Sequence, residues 1–205
     1  LMKKRPVKRF IYLSSAEVYG EAVHNININE NTPIQPSSYY GIAKYASEGL
    51  LQKAIENNTK CSLLILRPAL VYGPDEGKSF YGPYGFLKSA IKKDVITLWG
   101  NGGELREFLF VDDLVEVVMR LIFHEFSGVI NIVSGSSKTF KDIIKIISDL
   151  VPLIKVNSRS RSKPKVDQAY DNQLLRGLLT DISFTSLEDG IRTIYKNEIY
   201  KDLKN

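Results

Sequence analysis

Short, continuous apolar runs alternate along this chain with longer stretches in which apolar residues recur every three or four positions. The first run, Phe10-Ile11-Tyr12-Leu13, predicts a short buried strand over Arg9–Leu13. A polar loop rich in Asn and Pro follows. Beyond it, Ala43, Ala46, Leu50, Leu51, Ala54 and Ile55 share one broad face and predict a helix over residues 39–57. Residues 62–66 are apolar almost throughout, which places that strand in the middle of a sheet. The glycines and prolines of 73–85 predict a loop, and a short helix is expected over 86–93. A strand over 109–111 comes next, then a helix over 113–125 with Leu114, Val117, Val118, Leu121 and Ile122 inward, then a strand over 129–133. Thr139 caps a helix over 140–151, and Ser186 with Asp189 opens the last helix in a capping-box arrangement. Strands alternating with helices predict an α/β fold, a parallel sheet with helices on both faces whose ligands bind beyond the carboxyl ends of the strands.

Composition changes this picture only at its margins. A chain of 205 residues, 43% hydrophobic, is long enough for a core in one or two closely packed lobes. Charges break its apolar runs well before the ~20 residues that a bilayer crossing needs. No apolar signal-peptide stretch follows Met2, so no membrane association is expected. The single cysteine, Cys61, excludes an internal disulfide, is expected to lie buried at the start of a strand, and makes a reducing cytoplasm the expected compartment. The net charge of +5 gathers at Lys3-Lys4-Arg5, at Lys92-Lys93 and from Arg159 to Lys165. The last and most basic stretch has no stacking aromatics interleaved, and its serines and charges suggest a loop. Nucleic-acid binding is therefore not expected, and the charge suits small ligands that carry diphosphates.

The chemistry concentrates in Ser38-Tyr39-Tyr40-Gly41-Ile42-Ala43-Lys44 and in Ser15, twenty-five residues before Tyr40. A strand ending near Ser15 and a helix beginning near Tyr40 bring a hydroxyl, a phenol and an ammonium to one strand end. Such a trio moves a proton to or from a carbinol. The lysine one turn from the phenol stabilises its ionised form, and the serine orients the substrate oxygen. The Tyr-x-x-x-Lys spacing recurs at Tyr84 to Lys88 and at Tyr200 to Lys204, so spacing alone identifies nothing. Only Tyr40 follows a strand ending in Ser14-Ser15 and opens a helix announced by Pro36-Ser37-Ser38.

Four segments carry a family resemblance, in order. Leu13-Ser14-Ser15-Ala16-Glu17-Val18-Tyr19-Gly20 resembles the post-strand signature of extended short-chain dehydrogenases/reductases, the NAD-dependent epimerase/dehydratase enzymes acting on nucleotide sugars. Leu66-Arg67-Pro68-Ala69-Leu70-Val71-Tyr72-Gly73-Pro74 is similar to the strand and turn beside the nicotinamide in that family. Arg106-Glu107-Phe108-Leu109-Phe110-Val111-Asp112-Asp113 resembles its Arg-Asp-Phe-x-x-Val-x-Asp segment, and Val129-Ile130-Asn131-Ile132-Val133-Ser134-Gly135 a later strand.

The resemblance implies a Rossmann-type parallel sheet, here its C-terminal portion, with a smaller α/β substrate-binding lobe. It divides the chain into 1–73 with 109–151 for the NAD-binding part, and 74–108 with 152–205 for the lobe. It implies Ser15, Tyr40, Lys44 and Glu17 as catalytic residues, and Tyr40, Lys44, Pro68 and Val71 against the cofactor, NAD or NADP. It implies Ser15, Leu70, Arg106, Arg161 and Lys163 against a nucleotide-diphosphate sugar. A guanidinium such as that of Arg106 offers a planar fork to two phosphate oxygens. No metal is implied. A homodimer through the helix bearing the tyrosine and the helix before it is.

The family's Gly-x-x-Gly-x-x-Gly turn for the pyrophosphate has no counterpart here. Gly100-Asn101-Gly102-Gly103 is the richest glycine cluster and precedes the Arg106 segment. The chain is therefore expected to be the C-terminal two thirds of a larger enzyme, with residues 1–6 ending a helix. The expected reaction is epimerisation through a 4-keto intermediate. A 4,6-dehydratase or 4-keto-sugar reductase is the alternative within the family, and a non-catalytic remnant or interaction module the alternative outside it. Glu17 stands where dehydratases and nucleotide-sugar decarboxylases carry a glutamate, whereas Ala16 and Leu70 depart from the family's polar residues.

Overall fold

The computed structural model describes residues 7–21, 25–56, 61–74 and 81–202. In chain order the elements are β1 (Arg9–Leu13), β2 (Asn25–Ile28), α1 (Tyr39–Ile55), β3 (Ser62–Pro68), β4 (Leu70–Tyr72) and α2 (Pro83–Ile91). Then come β5 (Val95–Trp99), β6 (Leu105–Arg106), β7 (Phe108–Phe110), α3 (Val111–Ile122), β8 (Gly128–Ile132) and β9 (Lys138–Thr139). The rest are α4 (Phe140–Leu150), β10 (Lys155–Arg159), β11 (Gln168–Tyr170), α5 (Gln173–Leu178) and α6 (Leu187–Asp202), and one 3-10 turn covers Ala16–Tyr19. The readings made for residues 1–6, for 75–80, for Asn57 and for Lys204 fall outside the described residues.

A parallel sheet in the order β1-β3-β8 forms the frame, with Leu13 beside Leu66 and Pro68 beside Ile132. Parallel strands share one carboxyl end, so Ser14-Ser15 and Pro68 emerge on the same side. β4 continues from β3 and pairs in parallel with β7, and this carries Leu70 and Val71 alongside the segment that follows Arg106. Further parallel pairs join β2 to β11 and β5 to β10, and β6 meets β9 antiparallel.

Two large apolar cores hold the elements, and a small third one gathers Ala16, Val18, Tyr19 and Ile28. Leu64 and Leu66 of β3, Ile130 and Ile132 of β8, and Val117 and Leu121 of α3 pack with Leu175, Leu179 and Ile182. The second core gathers Phe86 and Leu87 of α2, Phe140, Ile143 and Ile147 of α4, and Ile191 and Ile194 of α6, with Phe108 and Phe110. Cys61 is buried at the threshold of β3, as expected.

Where the structure departs from the sequence pattern, the cause is physical. The apolar face expected on α1 is not buried: Ala43, Ala46, Leu50 and Ala54 are exposed, Leu51 and Ile55 are half-buried, and the helix buries only Gly41 and Glu48. Among the described residues nothing covers that face. α2 starts inside the expected loop because Gly82, at φ 95°, turns the chain and Pro83 enters at the first helical position, where a missing N–H costs nothing. β10 lies at the edge of the stretch read as loop. Its Lys155–Arg159 side chains are all exposed, so only backbone pairing with β5 makes it a strand, and no apolar period announces it. β2 escapes notice for a different reason: its Asn-Ile alternation buries Ile28, but it lasts only four residues inside an Asn-rich loop.

Candidate active site

The end of β1 is shaped by its own serines. Ser14 N–H donates to the Leu66 carbonyl at 2.7 Å, which extends the pairing with β3 by one residue. Ser15 then caps the 3-10 turn, its Oγ accepting from Glu17 N–H at 3.2 Å. Across from it, Ser38 caps α1 by accepting from Gly41 N–H at 3.0 Å, and its hydroxyl donates to Glu17 Oε1 at 3.0 Å. The two caps are thus linked through Glu17. Gly41 permits the close approach, since a Cβ there would lie 2.7 Å from the Glu17 carbonyl oxygen.

This arrangement brings the predicted trio to one place. Ser15, Tyr40 and Lys44 line an open cleft of about 520 Å³ beyond the strand ends, with Pro68, Leu70 and Val71 on its apolar wall. Tyr40 is 56% exposed, so its phenol is reachable. Lys44 Nζ donates to the Leu13 carbonyl at 2.8 Å and lies 5.5 Å from the centre of the Tyr40 ring and 5.3 Å from that of Tyr12. The cation is thus parked between strand end and phenol. In the other two Tyr-x-x-x-Lys copies the tyrosine does not lie at this strand end. Tyr84 is buried in the second core, and Tyr200 stands on α6.

A second cleft, of about 380 Å³, holds Arg106, Arg161 and Lys163 together with Trp99. Glu17 and Leu70 line both clefts, and a narrow space of about 90 Å³ between them runs from Ser15 to Arg106. Arg106 is half-buried, with Nη1 donating to the Leu105 carbonyl at 2.9 Å and to that of Val166. Arg161 differs from expectation in being already neutralised. It pairs with Glu104, which holds its charge above the ordinary arginine range, and donates to the Trp99 carbonyl at 3.1 Å. Lys163 lies 3.5 Å from Glu21 at the rim, and Arg159 stacks over Trp99 at 5.5 Å.

Beneath the first cleft runs a buried polar network that sequence reasoning missed. Glu48 of α1 accepts from Arg67 Nε at 3.0 Å and Nη2 at 2.6 Å, and also from the Ser14 hydroxyl. Arg67 Nη1 donates to the Tyr19 hydroxyl at 3.0 Å, and that hydroxyl donates to Asn131 Oδ1 at 2.8 Å. Burial opposes the Arg67 charge, but bonding and attraction from Glu48 and Tyr19 outweigh it and hold the guanidinium above its ordinary value. The signal was present: a carboxylate on the inward face of α1 and a cation inside an apolar strand are expensive unless they meet. Glu107 was missed too. Its buried carboxylate accepts from Ser134 N–H at 2.7 Å, the Ser134 hydroxyl at 2.6 Å, Gly135 N–H at 3.0 Å and the Ser137 hydroxyl at 2.7 Å, which fixes the turn after β8. Among the described residues no cluster of His, Cys, Asp or Glu is placed to hold a metal, and no helix is long and apolar enough to cross a membrane.

The chain is similar to known proteins in sequence and in overall fold. GDP-mannose 3,5-epimerase 1 of Oryza sativa subsp. indica is 29% identical over 96% of this chain and 55% of its own length. UDP-glucuronic acid decarboxylase 4 of Arabidopsis thaliana is 29% identical over 79% of this chain and 38% of its own length. The chain thus spans about half or less of these curated relatives. The crystal structure of UDP-glucuronic acid 4-epimerase from Bacillus cereus, in complex with UDP-glucuronic acid and NAD, superposes with a TM-score of 0.84 at 25% identity, covering 98% of this chain and 64% of that one. The sequence profile of the NAD dependent epimerase/dehydratase family matches residues 1–133, and the chain belongs to that family.

Proposed function

We propose that this chain supplies the acid–base and substrate-binding part of an NAD(P)-dependent nucleotide-sugar epimerase that works through a 4-keto intermediate. The observation that carries the reading is the continuity of the clefts: Ser15, Tyr40 and Lys44 line one, Arg106 the next, and Glu17 with Leu70 belongs to both. A sugar whose diphosphate meets Arg106 extends its ring toward the Tyr40 phenol. In this reading Tyr40 takes the proton of the C4 hydroxyl, the Ser15 hydroxyl donates to the same oxygen, and Lys44 stabilises the phenolate. The apolar wall of Pro68 and Val71 beside Lys44 fits a nicotinamide and its ribose, which supplies hydride acceptance and return. No glycine turn in this chain cradles a pyrophosphate, so the fit extends to the nicotinamide half alone. A homodimer is part of the proposal, with the exposed face of α1 against a second copy.

The second reading is a 4,6-dehydratase or a 4-keto-sugar reductase, and Glu17 favours the dehydratase. Its carboxylate faces both clefts and is steadied by Ser38, as a base acting beside a transient ketone would need to be. Turnover of a nucleotide-sugar panel by the protein expressed from its native reading frame separates these readings. Tyr40→Phe is expected to lower turnover by about a hundredfold to ten-thousandfold, the range for losing a positioned acid/base, with Tyr84→Phe and Tyr200→Phe nearly unchanged. Equal losses from all three would reject Tyr40. Simple epimerisation at C4 needs no carbon acid, so Glu17→Gln is expected to cost less than about tenfold, ~1.4 kcal/mol of barrier. A large loss in Glu17→Gln, with solvent deuterium entering the carbon next to the ketone, would sink the epimerase reading. No turnover by the parent protein on any sugar would favour the non-catalytic alternative.

A further inference from the structure

We infer that Glu48 is a positioning residue for the Tyr40–Lys44 pair, a role that rests on the acid–base reading above. α1 is a helix of 17 residues that buries only Gly41 and Glu48. These two lie seven apart, two helical turns, and so share one face. Tyr40 adjoins the first anchor, and Lys44 lies between the two. The pair therefore rides on a helix whose two buried grips lie on either side of Lys44, with Ser38 and Lys44 adding single bonds to Glu17 and to the Leu13 carbonyl.

The grips differ in kind. At Gly41 backbone meets backbone, which sets a distance but leaves the helix free to pivot. At Glu48 a carboxylate that is 1% exposed receives the fork of Arg67, itself 4% exposed, through Nε and Nη2, and the Ser14 hydroxyl as well. A bidentate pair is directional and fixes rotation as well as depth. Its partners are also the right ones. Ser14 is bonded to β3 and precedes Ser15, and Arg67 precedes Pro68. One carboxylate thus ties the helix of Tyr40 and Lys44 to the strand ends that bear Ser15 and the apolar wall. With Glu48 released, α1 turns about Gly41 and takes Lys44 off the Leu13 carbonyl.

Glu48→Gln keeps the shape and one acceptor while removing the charge. In the native-frame protein, kcat on the best nucleotide sugar is expected to fall about tenfold to a hundredfold, the scale of an ångström of misplacement, with KM within about twofold because Arg106 sits on β6. On a Lys44→Ala background the same change is expected to add less than about twofold, since residues acting as a unit are not additive. In the 205-residue chain alone, amide exchange at 42–44 is expected to quicken about tenfold while that at 64–66 holds. An unchanged kcat, an equal loss on both backgrounds, or exchange quickened alike in α1 and β3 would overturn the inference. Should Glu48→Gln not fold, Ser14→Ala removes a single bond and carries the same readouts, with an expected several-fold loss of kcat; no change in kcat or in exchange at 42–44 would overturn it. Tyr40→Phe in the same assay keeps the two levels apart. Parent-like turnover there rejects the acid–base reading itself, whereas a large loss there with Glu48→Gln unaffected rejects only the role of Glu48.

Discussion

α1 and α4 are helices of the same chain with opposite attachments. α4 buries Phe140, Ile143 and Ile147 against α2 and α6, so its place follows from apolar area removed from water, a force without direction. α1 exposes most of its apolar residues and is held by a close backbone contact at Gly41, the buried pair of Glu48 with Arg67, and hydrogen bonds from Ser38 to Glu17 and from Lys44 to the Leu13 carbonyl. The helix that carries Tyr40 and Lys44 is therefore fixed by directional bonds, and the helix behind the second cleft by packing. A polar anchor adds little net stability, because burying two charges offsets much of their attraction, but it specifies register in a way that apolar contact does not. On this view the apolar core around α4 is where the chain stores stability and the strand ends beside α1 are where it stores geometry.

The widest gap this comparison predicts is in large-to-small substitutions. Ile147→Ala in α4, at a fully buried position, is expected to lower unfolding free energy by about 2–5 kcal/mol in urea titration. Leu51→Ala in α1, half-buried, is expected to cost well under half as much. Equal costs would mean that α1 is packed in solution more tightly than its exposed face suggests.

The contrast also explains what was legible in the sequence. The alternation of β1, α1, β3, α3, β8 and α4 was readable because those elements bear apolar periods or capping pairs, and the Ser15, Tyr40, Lys44 constellation because the local strand-turn-helix grammar sets it apart from its two copies. β10 was not, since its exposed Lys-Val-Asn-Ser-Arg run leaves no apolar period and forms through pairing with β5, and β2 was not, since its Asn-Ile alternation lasts only four residues inside an Asn-rich loop and forms through pairing with β11. Arg106 could be chosen as an anion fork from its motif, but the pairing of Arg161 with Glu104 spans 57 positions and is set by folding alone. Glu48 was assigned no role because α1 was read by its apolar positions, and a charge on the inward face counts there as noise until Arg67 is seen opposite.

A smaller effect belongs to the cap of α4. Thr139 Oγ1 accepts from Asp142 N–H at 3.2 Å, and Asp142 Oδ2 accepts from Thr139 N–H at 2.7 Å. Thr139→Ala is expected to cost about 1 kcal/mol. The Thr139 N–H bond, aided by the Thr139 hydroxyl and by Lys138 and Lys145, outweighs burial and holds the Asp142 carboxyl below the ordinary range. A lowered carboxylate contributes stability that is present above its unfolded value of ~3.9 and is lost as pH falls through the folded one. The difference between parent and Asp142→Asn is therefore expected to be full at pH 7 and to close below about pH 4. Asp113 has the opposite sign, raised by burial despite its bonds to Thr185, but it is common to both proteins and cancels in the difference.

The smallest expected effect is the most discriminating for α1. Leu50 is 73% exposed on the helix, and glutamine has nearly the same helix propensity as leucine. If the face is open to water in the 205-residue chain, Leu50→Gln shifts unfolding free energy by no more than about 0.5 kcal/mol, at every protein concentration. If a second copy covers it, the leucine is buried in the assembly. The substitution then costs more than about 1 kcal/mol, the urea midpoint of the parent rises with concentration, and the loss vanishes on dilution. Urea titration at two concentrations a hundredfold apart, with mass from light scattering at each, decides the matter. A large cost that does not depend on concentration would mean instead that α1 turns toward its own chain in solution. That would end the contrast between a helix held by apolar packing and a helix held by polar bonds.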